Sequence, residues 1–331
     1  KEAKRSLTSK YISGEMTIKV PNKRRKWKHK ISLHDININN ISNLNVNIPL
    51  ECLTLITGVS GSGKSSLVQH VLKPSLEEIL YEEIKNKRNY KQARINTKKY
   101  KKIEFIDQNP IGRSSRSNPA TYSKAYDDIR HLFSKQNLSK KRRYKSGYFS
   151  FNIDGGRCEN CKGEGEVTIE MQFMADVHLM CEECQGKRFK EEILQITFNN
   201  KNIAEILDLS IDEAINFFKE YEETSIVRKI QSLQDVGLGY VKLGQSSSTL
   251  SGGESQRIKL ASFLGKSINS DKIIFIFDEP TTGLHFHDIN KLIQSFNSLI
   301  NQGHSIICIE HNLDVIKNSD WIIDLGPEGG D

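Results

Sequence analysis

The sequence predicts an α/β fold in which a largely parallel sheet is divided into two halves by a long insertion. Three observations lead to this prediction. Two neighbouring apolar segments end at Gly58, and the part after Lys272 alternates apolar strands with a helix. The long stretch between these parts does not continue this alternation and has the appearance of a large insertion. Strand–helix–strand order with continuously apolar strands is typical of parallel sheets covered on both faces.

The elements of the first half follow from their apolar periodicity. Residues 43–58 are predicted to form two strands separated by a polar turn, and residues 102–107 a third, shorter strand. Residues 64–84 have the periodicity of a helix, which we expect to break at Pro74 because proline lacks an amide hydrogen.

The insertion and the second half are predicted in the same way. Asn118 and Pro119 suit the N-cap and first turn of a helix over residues 118–136. The remaining predicted elements are helices over 212–223, 225–237 and 287–303, and strands over 272–280, 304–311 and 321–326.

Composition indicates a soluble globular protein. Of the 331 residues, 37% are hydrophobic and 27% are charged, and no segment approaches the ~18 consecutive apolar residues of a membrane-spanning helix. The chain begins KEAKRSLTSK, without an apolar leader, and stops in GPEGGD, so we expect a cytoplasmic piece of a longer protein. The net charge of +7 includes Lys/Arg clusters at 23–30, 85–102 and 139–145, which suit a polyanion, although solvated loops explain 85–102 equally well.

A phosphate-binding loop is the first motif that carries chemistry. Residues 58–65 match G-x-x-x-x-G-K-[ST] between a predicted strand and a predicted helix, which is the context this motif requires. Backbone N–H groups of such a loop surround phosphate oxygens, the lysine reaches the terminal phosphates, and the last hydroxyl ligates Mg²⁺. A plain Gly-rich turn is the weaker alternative. The candidate nucleotide-binding residues are Gly58, Ser60, Gly61, Ser62, Gly63, Lys64, Ser65 and Ser66.

Two further motifs complete a nucleotide site. An apolar strand ends in Asp278, a candidate Mg²⁺ ligand, and Glu279, which can orient the attacking water. Two acids at this position can also simply cap a turn, but their occurrence with Lys64 favours the catalytic interpretation. In LSGGESQR, Ser251, Gly252 and Gly253 precede a predicted helix and form a second candidate anion site.

This combination resembles the ATP-binding-cassette (ABC) ATPases. The resemblance implies that Gln108 is the Q-loop residue, that residues 281–285 belong to the D-loop, and that His311 is the switch histidine beside the γ-phosphate. It also implies that the signature loop at Ser251 closes over ATP bound by an opposing nucleotide domain. A lone histidine after a strand is usually structural, and here its place after the Asp-Glu strand favours a functional role.

Four cysteines have the spacing of a metal site. Cys158, Cys161, Cys181 and Cys184 form C-x₂-C-x₁₉-C-x₂-C, which suits tetrahedral Zn²⁺ bound by four thiolates. Four thiolates leave no open position, so the zinc is predicted to be structural. The residues between the pairs alternate as in a β-hairpin, and without secretory features a disulfide framework is disfavoured.

The longer motifs are similar to the C-terminal half of the UvrA family, the damage-sensing ATPases of bacterial nucleotide excision repair. Six stretches carry the resemblance: TGVSGSGKSSL, IDQNPIGRSSRSNPATY, GGRCENCKGEGEVTIEMQFMADVHLMCEECQGKRF, DVGLGYVKLGQSSSTLSGGESQRIKLA, DEPTTGLH and IEHNLDVIKNSDWIIDLGPEGG. The resemblance implies a homodimer, not bound to a membrane, that uses ATP and Mg²⁺ to load a UvrB-type helicase onto damaged double-stranded DNA. It implies a nucleotide-binding core over 1–108 and 272–331, interrupted by a helical signature domain over 109–271 with a zinc module near 150–190.

Candidate DNA contacts lie in the Arg-rich stretch after the Q-loop. They are Arg113, Arg116, Lys124 and Arg130, which suit phosphate contacts that are independent of base sequence. For each of them a solvated surface position is equally compatible with the sequence.

Alternatives remain at the level of function. A UvrA-like drug-resistance ABC ATPase would retain the same motifs, whereas a transporter's ATPase subunit has no use for a Cys₄ insertion. A zinc-dependent DNA-binding module with a weak ATPase is opposed by the intact Lys64, Asp278, Glu279 and His311. The resemblance covers one nucleotide domain, so we expect this chain alone to hydrolyse ATP poorly unless two copies pair.

Overall fold

Two compact units make up the protein in this computed structural model. The structure describes residues 6–81, 90–109, 111, 116–169, 171, 177–264 and 271–326. The first unit comprises residues 1–108 and 266–331, and the second unit comprises residues 109–265. The chain therefore leaves the first unit after Gln108 and returns to it just before the strand that carries Asp278.

The described residues contain strands β1 (Lys30–Ile38), β2 (Ile41–Pro49), β3 (Leu53–Gly58), β4 (Gln92–Ile95), β5 (Tyr100–Ile106), β6 (Glu166–Ile169), β7 (Val177–Met180), β8 (Thr197–Phe198), β9 (Lys201–Asn202), β10 (Lys272–Asp278), β11 (Ser305–Ile309) and β12 (Trp321–Leu325).

The helices of the same residues are α1 (Leu7–Ile12), α2 (Lys64–Leu67), α3 (Lys73–Tyr81), α4 (Pro119–Tyr122), α5 (Ala125–Ser134), α6 (Asn137–Arg142), α7 (Glu191–Leu194), α8 (Ile203–Asp208), α9 (Ile211–Glu220), α10 (Thr224–Asp235), α11 (Gly252–Leu264), α12 (Phe286–Asn301) and α13 (Leu313–Asn318), with short 3₁₀ turns at Ser146–Phe149 and Ser247–Thr249.

A five-stranded parallel sheet forms the centre of the first unit. Its strand order is β12-β3-β11-β10-β5, and every neighbouring pair is parallel. The residues of β11 and the inner residues of β10 are all buried, as their continuous apolar runs require. The predicted parallel α/β core is confirmed, and the carboxyl ends of its strands meet at one edge of the sheet.

A separate antiparallel sheet, β2-β1-β4, belongs to the same unit. Its inner side chains share one apolar core with β3 and the helix after the phosphate loop, including Ile31, Leu33, Ile56 and Leu67. The sequence predicts β2 and β3 as consecutive strands but does not separate them into two sheets. Their apolar content is similar, and only the antiparallel pairing of β2 with β1 distinguishes them.

The helix after the phosphate loop corrects one prediction. The helical segment does not break at Pro74; instead, a π-helical turn over Val68–Leu72 joins α2 to α3. The amide of Lys73 donates to the carbonyl of Val68, five residues earlier. A wider turn makes room for the proline ring, which in a regular helix clashes with the carbonyl four residues before it.

The second unit contains the predicted helices and the predicted hairpin. Asn118 caps α4 and Pro119 occupies its first turn, as expected. The helix is nevertheless shorter than predicted, because Lys124 adopts a left-handed conformation (φ = 62°) and separates α4 from α5. The hydroxyl of Ser123 accepts from the Ala125 amide, and serine hydroxyls compete with helical backbone bonds in this way. β6 and β7 pair as an antiparallel hairpin between the two cysteine pairs.

No helix in the described part of the chain combines the length and the apolar character needed to cross a lipid bilayer.

Candidate functional site

The phosphate loop connects the end of β3 to the first residue of α2. Gly58 and Gly63 adopt positive φ values of 135° and 96°, which side chains with a Cβ rarely tolerate. A Cβ on Gly58 would lie 2.5 Å from the Leu325 carbonyl oxygen, and one on Gly63 would lie 2.9 Å from the Ile41 side chain. Both positions therefore require glycine, and the loop packs tightly against β12 and β2.

Lys64 lies along the inside of this loop. Its Nζ donates to the carbonyl oxygens of Gly58 (2.9 Å) and Val59 (2.7 Å), and the residue is only 6% exposed. Two of its three ammonium donors are thus directed by the loop. The buried hydroxyl of Ser62 has no hydrogen-bond partner among the described residues. Because buried hydroxyls are normally hydrogen-bonded, this orphan group fits a loop that receives phosphate oxygens.

Asp278 and Glu279 stand at the carboxyl edge of the same sheet. The register places Asp278 beside Ile309 of β11, and Ile309 beside Ile56 of β3, so the acids lie near the level at which the phosphate loop begins. The Gln69 amide lies 3.4 Å from the Asp278 carboxylate. Burial, and then the charge of Glu279, raise the pKa of the Asp278 carboxyl above its ordinary value. A site that disfavours an unpaired negative charge in this way is suited to a bound cation.

Glu279 and His311 form a contact across this edge. His311 Nε2 lies 3.3 Å from Glu279 Oε1, and both side chains remain accessible to solvent. Glu279 has a positive φ of 47°, an uncommon conformation for a residue other than glycine and one that occurs often at functional sites. Gln108 follows β5, the neighbour of β10, and is exposed. Lys64, Asp278, Glu279 and His311 therefore belong to one edge of one sheet.

Glu310 is a residue of this edge that the sequence analysis missed. The residue is 2% exposed, and its carboxylate accepts hydrogen bonds from the turn after β10, at Thr281, and from the turn after β11, at His311. The only signal in the sequence is an acid that directly follows an apolar strand and precedes the candidate histidine.

The signature motif forms the start of α11 in the second unit. Ser251 and Glu254 make a capping box, in which the Ser251 hydroxyl contacts the Glu254 amide (3.3 Å) and carboxylate (2.9 Å). Arg257, which is 3% exposed, donates to the carbonyls of Gly253 and Gly237. Burial raises the pKa of Glu254, but hydrogen bonds from Tyr240 and Ser251 outweigh it and lower the pKa overall. The cap is therefore anionic at neutral pH and holds the N-terminus of the helix.

The four predicted zinc ligands come together in the second unit. The Sγ atoms of Cys158, Cys161, Cys181 and Cys184 lie within 4.8 Å of one another, and all four residues are buried. The Sγ–Sγ distances are 3.9 Å for Cys158–Cys181 and 3.6 Å for Cys161–Cys184. A tetrahedron with Zn–S bonds of about 2.3 Å has edges of about 3.8 Å, so the cluster fits Zn²⁺. The amide of Gly165 donates to the Cys161 sulfur, as expected beside a thiolate ligand.

Of the candidate DNA contacts, the structure describes Arg116, Lys124 and Arg130. Arg116 pairs with Glu164 of the first cysteine knuckle (3.2 Å), and Arg130 pairs with Asp127 on its own helix. Lys124 is exposed at the junction of α4 and α5. Arg113 lies outside the described residues.

The comparisons with known proteins identify the family of this chain and its relatives. The family described as ABC transporter matches residues 41–282. UvrABC system protein A of Staphylococcus aureus (strain COL) is 50% identical over 99% of this chain and 34% of its own length, and that of Clostridium tetani (strain Massachusetts / E88) is 51% identical over 99% and 35%. The crystal structure of UvrA2 from Deinococcus radiodurans has a TM-score of 0.86 at 39% identity and covers 98% of this chain and 39% of that protein. The chain thus spans about a third of the length of the curated relatives.

Proposed function

We propose that the first unit of this chain, which belongs to the ABC transporter family, binds and hydrolyses ATP. The observation that carries the proposal is the convergence of the phosphate loop, Asp278, Glu279 and His311 at one edge of the parallel sheet. The resemblance seen in the sequence is confirmed at the level of the family.

Each group of the edge has a role that follows from its chemistry. Lys64 binds the terminal phosphates, and Asp278 with the exposed Ser65 hydroxyl would hold Mg²⁺, which supplies charge neutralisation for phosphoryl transfer. Glu279 orients the attacking water and accepts its proton as the water oxygen bonds to the γ-phosphorus and the bond to ADP breaks. His311 positions Glu279 and faces the γ-phosphate.

We propose that hydrolysis serves the repair of damaged double-stranded DNA. The support is 50% identity to proteins named UvrABC system protein A and the Cys₄ cluster, which would bind a structural Zn²⁺ in the second unit. In this proposal the full-length protein is a cytoplasmic homodimer that loads a UvrB-type helicase. Each signature loop, led by Ser251, then completes the nucleotide site of an opposing domain.

ATP hydrolysis by the full-length protein tests the proposal. Lys64→Ala is expected to weaken ATP binding at this site by at least about 100-fold, because the variant loses the cation that contacts the terminal phosphates. The matched control is Lys19→Ala, an exposed lysine of the same unit, which should bind ATP like the wild type. Binding is measured with a fluorescent ATP analogue, and hydrolysis by phosphate release.

A lesion-bearing duplex and an unmodified duplex of the same sequence are then added in parallel. Stronger binding to the lesion-bearing duplex and a changed rate of hydrolysis support the repair function. Equal binding to both, or stimulation by a drug-like small molecule instead, would favour the resistance-type alternative and contradict the proposal.

A further inference from the structure

Glu310 is a buried carboxylate for which the hydrolytic roles above have no use. It follows β11 directly and is 2% exposed, although ionised carboxylates are almost never buried without several partners. Its Oε1 accepts from the Thr281 amide (3.0 Å) and the Thr281 hydroxyl (2.5 Å). Its Oε2 accepts from the amides of His311 (2.7 Å) and Asn312 (2.8 Å).

These four bonds join two turns that follow neighbouring strands. Thr281 belongs to the turn after β10, in which Thr282 donates to the Glu279 carbonyl and Leu284 donates to the Thr281 carbonyl. His311 and Asn312 belong to the turn after β11. At this level the Glu279 amide also donates to the Ile309 carbonyl, which adds a backbone bond between the ends of the two strands.

A closed ring of contacts results. The Glu279 carboxylate meets the His311 imidazole at 3.3 Å, the His311 amide donates to Glu310, and Glu310 accepts from Thr281, two residues after Glu279. Glu279 carries an unusual positive φ within this ring, and such a conformation persists only where surrounding contacts over-determine it. The position of Glu279 relative to His311 is therefore set through Glu310.

We propose that Glu310 is a positioning residue for ATP hydrolysis, which fixes the Glu279–His311 pair by holding both turns on one carboxylate. The inference rests on the proposed ATPase function and goes beyond it, since the Glu310 carboxylate contacts Thr281, His311 and Asn312 and has no assigned part in binding phosphate or activating water. Its role requires two acceptor oxygens, each with two lone pairs directed at N–H and O–H donors.

Glu310→Gln is the sharpest test, because it keeps the size of the side chain and replaces one acceptor oxygen with an NH₂ group that faces donors. In the full-length protein we expect kcat for ATP to fall at least about tenfold, while the affinity for a fluorescent ATP analogue changes by less than about twofold. Binding is retained because the contacts of Lys64 and the phosphate loop are untouched.

The matched control is Glu213→Gln, the same chemical change at a capping carboxylate of α9 in the second unit. Glu213 also accepts from a backbone amide and a hydroxyl, those of Ser210, and its change should leave kcat within about twofold of the wild type. Wild-type protein without ATPase activity would refute the proposed function itself. Active wild type with an unaltered kcat for Glu310→Gln would refute only the positioning role.

A milder variant keeps the test decisive if Glu310→Gln is unstable. Thr281→Val preserves shape but removes the hydroxyl bond, and it should lower kcat by a few-fold without a change in nucleotide affinity. If the two residues act through one contact, the double variant will be no slower than Glu310→Gln alone. Additive losses, or a parallel loss of affinity and thermal stability, would show that Glu310 serves folding and not the geometry of hydrolysis.

Hydrogen exchange supplies a readout that is independent of turnover. The amides of Thr281, His311 and Asn312 should exchange faster in Glu310→Gln than in wild type, with no change around the phosphate loop. Unchanged protection at these amides would contradict the proposed contacts.

Discussion

The ionised Asp278 carboxylate destabilises the folded, nucleotide-free protein. It is partly buried and lies beside Glu279, and both effects raise its pKa. An acid whose pKa is higher in the folded than in the unfolded protein disfavours folding once the pH rises above both values. The same feature that prepares the site for a cation therefore lowers the stability of the empty site at neutral pH.

Asp278→Asn is expected to stabilise the nucleotide-free protein at pH 7–8 while it abolishes Mg²⁺-dependent hydrolysis. We expect a rise in Tm of only about 1–2 °C because solvent screens the half-exposed carboxyl, and for 331 residues this rise corresponds to about 0.7–1.4 kcal/mol. The gain should disappear as the pH falls towards the range in which Asp278 is protonated in both states. Calorimetric scans across pH measure this, with Asp324→Asn as a control that removes a carboxylate hydrogen-bonded to Thr57 and should destabilise. A Tm for Asp278→Asn below that of wild type at pH 8 would contradict the assignment.

Individual site residues were predictable where a local pattern encodes them. Lys64 follows from glycine spacing, and Asp278 follows from an acid at the tip of an apolar strand. Glu310 could not be predicted in the same way, because its partner Thr281 lies 29 positions away and reaches it only through the parallel register of β10 and β11. Contacts that depend on strand order leave no spacing signal in a single sequence.

Most of the described apolar side chains of the β6–β7 hairpin are exposed, so the order of this hairpin needs another explanation than burial. Ile169, Val177, Leu179 and Met180 are all exposed, by 40–69%. A two-stranded hairpin is at best marginally stable alone, so burial of its own side chains does not explain its order. Zn²⁺ held by the cysteine cluster at the base of the hairpin would explain it, because metal binding to preorganised thiolates contributes folding free energy directly.

Cys181→Ser should remove bound zinc and loosen this hairpin. We expect the variant to retain less than about a tenth of the zinc of wild type, measured by elemental analysis after dialysis, and β6 and β7 to lose protection in hydrogen exchange. Cys52→Ser is the control, since burial raises the pKa of the Cys52 thiol to about 11 and the residue lies in the first unit. Equal zinc content in the two variants would exclude the Cys₄ assignment.

Two helical elements show where local sequence misleads. Pro74 indicated a break, but the π-helical turn before it absorbs the proline and the helical segment continues to Tyr81. The segment after Asn118 looked continuous, yet it is interrupted at Lys124. In both cases the apolar periodicity was correct, and a local backbone feature, the π-helical turn before Pro74 or the left-handed Lys124, changed the course of the helix.

At the scale of the whole molecule, the chain passes between the two units twice, once after Gln108 and once before β10. The chain leaves the first unit at Gln108, after β5, and re-enters it before β10, whose last residue is Asp278. The sequence indicates this insertion because the strand–helix–strand alternation stops between the two halves of the sheet and the four cysteines lie there. A nucleotide-dependent change at the end of β5 therefore has a covalent route through Gln108 into the unit that carries the cysteines and the signature motif.

We propose that this route couples ATP hydrolysis to the binding of damaged DNA through the unit that carries the four cysteines. The most direct measurement is the ATPase rate of full-length Cys181→Ser with and without lesion-bearing duplex, beside wild type and Cys52→Ser. We predict a DNA-free rate within about twofold of wild type and no response to the lesion, whereas Cys52→Ser responds normally. A Cys181→Ser protein that lacks zinc yet still responds to the lesion as wild type does would contradict the claim.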